Sequence, residues 1–152
     1  MTFRNHGRRR QASRGNAIVE FAVTVALFLP LLLGTFKFGF AFYTYNRLIT
    51  AVRHGARYAS LLTYNSATSM PTDSYLAAVR NAVVYGNPDG SGSPVVTGLT
   101  PNAISVSMTI VNGVPDMVTV ALSDFTLDAA VTTFHWVNKP SASFRFEGTF
   151  TP

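Results

Sequence analysis

The residues with the clearest chemical consequence in this sequence are Gly15 and, five positions later, Glu20. Glu20 stands at the start of an apolar segment, where a carboxylate is costly unless it stays hydrated or meets a cation. A cut after Gly15 would create an α-amine on Asn16, and that amine could neutralise Glu20 of a neighbouring subunit. Gly15 suits the position before the cut because it presents no side chain to a protease at the membrane surface. The spacing motivates the hypothesis that the chain is processed between Gly15 and Asn16.

The two segments around this junction predict a membrane anchor. Residues 1–15 hold five arginines and no acid, whereas Glu20 is the one charge in residues 16–36. The second segment has the roughly 20 residues that a helix needs to cross a bilayer. Ten Leu, Val and Phe residues follow Glu20 within it and supply roughly −3 to −6 kcal/mol toward insertion. The positive-inside rule places the amino terminus in the cytoplasm, and we expect the leader, residues 1–15, to be disordered or to lie on the lipid surface.

Charge and composition argue against several classes of function. The chain has twelve basic and seven acidic residues, and because five of the basic ones are in the leader, the remainder is neutral. A nucleic-acid-binding protein usually carries a basic face on its folded part, so we expect no nucleic-acid partner. Without cysteine there is no disulfide or thiolate chemistry. The three histidines are scattered and match no hydrolase motif, so we expect no enzymatic activity, no cofactor and no bound metal.

The helix is predicted to continue outside the membrane through residues 37–62 as an amphipathic helix. At about 100° per residue, one face collects the apolar side chains of Tyr45, Leu48, Ile49, Val52, Ala56, Ala59 and Leu62. The simplest interpretation is that this face packs on the chain's own domain. Arg53, His54 and Arg57 are then either a solvated helix face or a contact surface for a partner in an assembly platform.

Residues 63–152 predict a small domain with one short helix and a sheet. Cap residues from Thr72 onward start the helix, which ends by Gly86. Alternating apolar residues predict strands over 104–110, 118–122 and 143–150, and the first two form a hairpin with a longer connection. The pattern of residues 124–136 does not distinguish a short helix from an irregular crossing. The fold class is therefore α+β, a long amino-terminal helix packed on a small antiparallel sheet.

Two stretches of the first sixty residues resemble the TadE-like pseudopilins of tight-adherence (Flp/Tad) pilus systems. The junction RGNAIVEF is similar to the type IV prepilin pattern G-x-x-x-x-E-F. Pro30, Gly39 and the segment HGARYA at residues 54–59 stand where that family's signature has comparable residues. The resemblance covers residues 14–60, and the rest of the chain is similar only in being strand-rich.

This resemblance implies a function and a set of partners. A prepilin peptidase would cut behind Gly15, and the mature protein would remain in the bacterial inner membrane with its domain in the periplasm. It would assist pilus assembly together with other pilin or pseudopilin subunits and the assembly platform, and could enter the filament. Gly15, Asn16, Glu20 and Phe21 would be the processing residues, with Glu20 needed for cleavage or for assembly.

Two alternatives share much of this sequence pattern. An exported soluble protein with a cleaved signal needs a short apolar core and a small-x-small site. Here the apolar run is too long, and the nearest such site, residues 39–41, lies inside the predicted helix. An unprocessed single-pass membrane adaptor shares every feature except the cut behind Gly15.

Overall fold

The computed structural model describes residues 8–128 and 133–151. The described helices are α1 (Arg8–Leu61) and α2 (Asp73–Tyr85), and a 3-10 turn covers Pro101–Ala103. The strands are β1 (Ile104–Val111), β2 (Val114–Leu122), β3 (Asp124–Asp128), β4 (Thr133–Val137) and β5 (Ser141–Arg145). The fold class is α+β, as predicted, with the long helix first and antiparallel strands after it.

α1 is a single helix that continues through Pro30. It begins at Arg8, so residues 8–15, for which we expected disorder or a place on the lipid surface, are helical. The side chains from Gly15 to Phe40 are exposed apart from the half-buried Lys37. The chain divides into two compact units, Met1–Phe40 and Ala41–Pro152. Residues 15–40 of the first unit are therefore an exposed, mainly apolar helical segment, and the buried core belongs to the second unit.

The core of Ala41–Pro152 contains the apolar face of α1 predicted from its periodicity. Leu48, Val52, Ala56 and Ala59 are buried in one cluster with residues of α2 and the strands. Tyr45, Ile49 and Leu62 of that predicted face are half-buried at its edges. The hydrophobic effect on this face, about 25 cal/mol per Å² of apolar surface buried, holds the last third of α1 to the domain.

The main sheet has three antiparallel strands in the order β1-β2-β5. β1 and β2 are joined by a two-residue turn, because Val111 pairs with Val114. Asn112 and Gly113 both have positive φ, 53° and 79°, which a tight hairpin turn of this twist requires. The longer connection predicted for this hairpin is therefore wrong.

Residues 124–136 contain two strands, so the expectation of a helix or an irregular crossing is wrong. β3 and β4 form a separate two-stranded sheet, and residues 129–132 between them lie outside the described residues. Phe125 is the cross-strand partner of Trp136, and their rings stack 6.0 Å apart and 3° from parallel. Cross-strand aromatic pairs of this kind stabilise a hairpin.

The predicted third strand is shorter than expected. β5 ends at Arg145, after which Phe146 N–H donates to the carbonyl of Asp116. The chain then crosses to the end of α1, where Phe150 forms a parallel bridge with Tyr64. The alternation of phenylalanines beyond Arg145 thus reflects packing on the core and not a longer strand.

Candidate functional site

The predicted processing residues lie on the exposed part of α1. A Cβ added to Gly15 would meet nothing within 4 Å. The carboxylate of Glu20 forms no ion pair with any side chain in residues 15–127 and 133–151. Asn16 and Glu20 are four positions apart, so they share one face of the helix, about 6 Å apart along its axis. An unpaired carboxylate thus stands close to the place where cleavage would create a positive amine.

The three predicted contact residues are exposed on the outer part of α1. Arg53, His54 and Arg57 are all exposed, and none forms an ion pair within the part of the chain that the structure describes. His54 alone of the three lines a groove, and it does so together with Arg47. The structure therefore separates the predicted set: His54 belongs to a concave site, whereas Arg53 and Arg57 continue the basic surface beside it.

This concave site, which we call the basic groove, lies between α1 and the end of α2 and has a volume of about 430 Å³. Its lining residues are Tyr43, Asn46, Arg47, Thr50, Ala51, His54, Ala82, Val83, Gly86 and Val95. The small and aliphatic side chains form an apolar floor. Arg47 and His54 supply positive or ionisable groups at the rim, and the lining contains no acid. Arg47 also lies over the Tyr43 ring, 5.9 Å from its centroid.

The floor of the basic groove depends on a close approach of the two helices. A Cβ at Gly55 would overlap Cγ2 of Val83, so any larger residue at this crossing requires Val83 or the helices to shift. α2 ends at Tyr85 and is capped by Gly86, whose φ of 76° is the left-handed conformation typical of helix ends. Val95 N–H then donates to the carbonyl of Val84, and this hydrogen bond holds the end of the loop that follows α2 against the helix. The sequence analysis predicted an exposed surface that contains His54, but it gave no sign of the α2 side.

A tyrosine cluster fixes the end of α1 to the domain. The Tyr75 hydroxyl donates to the carbonyl of Ala59 at 2.6 Å, and the Tyr64 hydroxyl donates to that of Thr68 at 2.6 Å. The two rings pack edge to face with centroids 5.4 Å apart. Burial raises the pKa of the Tyr75 phenol, and the neighbouring Tyr64 phenol raises it further. Both phenols are therefore held in the neutral form.

We expect Tyr75→Phe to lower the free energy of unfolding by about 1 kcal/mol at pH 7, because one buried hydrogen bond is lost. The raised pKa means that the unfolded chain ionises first, near the ordinary value of about 10. The contribution of Tyr75 to the free energy of unfolding is thus fully present below pH 10 and is lost as the pH rises above it. Tyr75→Phe should reduce this alkaline loss of stability. Urea unfolding of the full chain in detergent micelles at pH 7 and pH 10.5 measures both effects. Tyr43→Phe, at an exposed tyrosine, is the control, and equal alkaline losses in both variants would contradict the assignment.

The structure does not bring the histidines together as a catalytic or metal site. His54 is on α1, and His135 on β4 pairs with Asp124 at 2.7 Å on the exposed hairpin. His6 lies outside the described residues. Within the part of the chain that the structure describes, no group of three His, Cys, Asp or Glu residues is placed to hold a metal ion.

An exposed apolar helix ahead of a small α+β domain fits membrane anchoring. The helical segment Gly15–Leu61 is long and apolar enough to cross a membrane by length and composition. Residues 15–57 match the family model described as TadE-like protein, which confirms the resemblance seen in the sequence. Neither a curated protein nor a solved structure gives a match. The family match indicates a role in Tad pilus systems, and this pilus-associated family is not known for enzymatic activity.

Proposed function

We propose that this chain is a minor pilin or pseudopilin that assists assembly of a tight-adherence pilus, and secretion by that system, after a prepilin peptidase cuts behind Gly15. The observation that carries the proposal is the position of the family match, which begins at Gly15 and ends at Arg57, entirely within α1. The matched segment contains Glu20, which forms no ion pair with described side chains, and the run of exposed apolar side chains from Ile18 to Tyr43.

The exposed apolar surface explains why such a subunit has two states. A run of large apolar side chains from Ile18 to Phe42 is 39% to 82% exposed, and a surface of this kind needs lipid or other apolar helices around it. Lipid of the inner membrane covers it before assembly, and helices of other pilin subunits cover it within a filament. The single span keeps residues 1–15 in the cytoplasm and the domain in the periplasm.

Glu20 favours the transfer of the helix from lipid to the helices of other subunits. A carboxylate in an apolar helix is costly until it meets a cation. The amine created at Asn16 by cleavage supplies that cation in a neighbouring subunit, so that processing and helix packing are coupled. The partners of this function are the prepilin peptidase, other pilin or pseudopilin subunits, and the assembly platform, with Arg53, His54 and Arg57 on the surface that faces the last of these.

The proposal is tested by expressing the full chain with and without a cognate prepilin peptidase. We expect the intact mass from the membrane fraction to show peptidase-dependent loss of residues 1–15, with Asn16 as the new amino terminus. Gly15→Leu should abolish the cut, because it places a bulky side chain before the scissile bond. Gly39→Leu changes a glycine of the same helix that also has open space around it, and it should be cut normally.

The other outcomes separate the alternatives. A chain that still begins at Met1 beside an active peptidase would be a single-pass adaptor. A soluble product beginning near Phe42 would be an exported protein with a cleaved signal. Glu20→Ala then distinguishes the two roles of the carboxylate, since normal cleavage with lost co-purification of pilin subunits assigns it to assembly.

A further inference from the structure

We propose that copies of this chain associate head to tail, with the β1–β2 turn of one copy inserted into the basic groove of the next. The inference rests on the proposed function, because it describes how a pilin-like subunit contacts a second copy. Two surfaces of the Ala41–Pro152 unit have complementary chemistry: the groove carries cations with no ion pair among the described residues, and the turn carries an acid with only a long, exposed ion pair.

The basic groove has no acidic partner among the described residues of its own chain. Arg47 and His54 at its rim form no ion pair with described side chains, and no acid is among its lining residues. Arg53 and Arg57 extend the positive surface along the same helix. The floor is apolar and open, so the chemistry that fits is an apolar side chain next to a carboxylate.

The β1–β2 turn presents that chemistry. Val111, Val114 and Met117 are 49%, 53% and 40% exposed, which makes this turn an apolar projection on the domain. Asp116 lies among them, and its ion pair with Arg145 is long, at 4.0 Å, and solvent-exposed. Exposed pairs of this kind contribute little, so the carboxylate is available to a second cation.

The turn and the groove of one copy lie far apart along α1. Asp116 accepts a hydrogen bond from Phe146, and the next residue, Glu147, donates to the carbonyl of Ser60. The turn is therefore held near the carboxyl end of α1. Arg47 lies thirteen residues earlier, which is roughly 20 Å along the helix axis. A turn in this position reaches the groove of another copy and not its own.

Charge also selects the mode of association. Two grooves facing each other would bring the Arg47 guanidinium groups of both copies together, and like charges across an interface are unfavourable. Insertion of the β1–β2 turn into the basic groove instead pairs Asp116 of one copy with Arg47 of the next. Such a contact joins two different surfaces and repeats from copy to copy, forming a ring where the rotation closes and a filament where it does not.

The absence of cysteine from the sequence allows a direct test by cross-linking. Thr50→Cys marks the groove and Val114→Cys marks the turn, and the two full-length variants carry different tags and are mixed in detergent micelles under a mild oxidant. We expect a disulfide-linked heterodimer and little of either homodimer. Ala67→Cys, at an exposed loop position, replaces Val114→Cys as the control. A dominant Thr50–Thr50 homodimer, or equal cross-linking to Ala67, would overturn the proposal.

A charge exchange tests the same contact without relying on the disulfide geometry. Arg47→Glu in the groove copy should lower the heterodimer about tenfold, and Asp116→Arg in the turn copy should restore it. Asp73→Arg, which changes the net charge equally at the start of α2, should not restore it. Equal recovery with Asp73→Arg, or none with Asp116→Arg, would refute the pairing.

Cleavage is measured separately on the same variants. A chain that is cut behind Gly15 but shows no cross-link would refute the head-to-tail contact and support the proposed function. A chain that cross-links but is not cut would support the head-to-tail contact and refute the prepilin assignment.

Discussion

Gly55→Ala is expected to lower the free energy of unfolding of the Ala41–Pro152 unit by about 2 kcal/mol, within the range for overpacked cores. The added methyl group would stand 2.1 Å from Cγ2 and 3.3 Å from Cβ of Val83. Val83 is fully buried, and its β-branched side chain has few rotamers available. The two helices must therefore move apart, which also opens the floor of the basic groove. Urea unfolding of the full chain in detergent micelles, followed by the fluorescence of the single tryptophan, Trp136, measures the loss.

Two matched variants separate this clash from helix propensity. Gly39→Ala makes the same change in the same helix where nothing lies within 4 Å, and it should be neutral or slightly stabilising. Val83→Ala removes the methyl groups that the new side chain meets. The double variant should then be more stable than the sum of the two single effects by at least about 1 kcal/mol. Strict additivity would show that the two residues do not oppose each other.

Periodicity was sufficient to predict much of the fold because the main elements are amphipathic with unbroken periods. The buried positions Leu48, Val52, Ala56 and Ala59 of α1 follow the helical repeat directly. The β1–β2 hairpin follows from two alternating runs around Asn112-Gly113. The processing junction remains a prediction, and it rests on chemistry and not on periodicity, since a lone carboxylate at the start of an apolar run is costly.

Packing between elements distant in the sequence could not be predicted in the same way. The basic groove joins α1 to residues 82–95, and no local pattern indicates which helix will oppose Gly55. β3 and β4 were missed because each has only five residues, which is too short for alternation to exclude a helix. Their pairing depends on the contact of Phe125 with Trp136 and of Trp136 with Tyr45 of α1. These contacts form only in the folded domain.

The end of the chain is bound to the end of α1 through backbone contacts. Glu147 N–H donates to the carbonyl of Ser60 at 2.9 Å, and Tyr64 exchanges hydrogen bonds with Thr149 and Thr151 at 2.8 Å and 2.9 Å. Gly148 lies between these bonds. A Cβ at this position would be 2.3 Å from the carbonyl oxygen of Leu62 and 3.0 Å from the carbonyl carbon of Leu61, so glycine is required for this close approach.

We therefore expect Gly148→Ala to lower the free energy of unfolding by about 3 kcal/mol, since overpacking costs about 1–3 kcal/mol and each displaced hydrogen bond about 1 kcal/mol more. Backbone atoms of Leu61 and Leu62, at the end of α1, cannot move aside as a side-chain tip can, so the chain after Phe146 must move away from the helix. Thr149→Ala, at the exposed neighbouring position, keeps the backbone path and should change stability by less than about 0.5 kcal/mol. Unfolding followed by Trp136 fluorescence measures both, and proteolysis should remove the last residues of Gly148→Ala first. Equal stability of the two variants would mean that the chain end does not hold α1 to the domain.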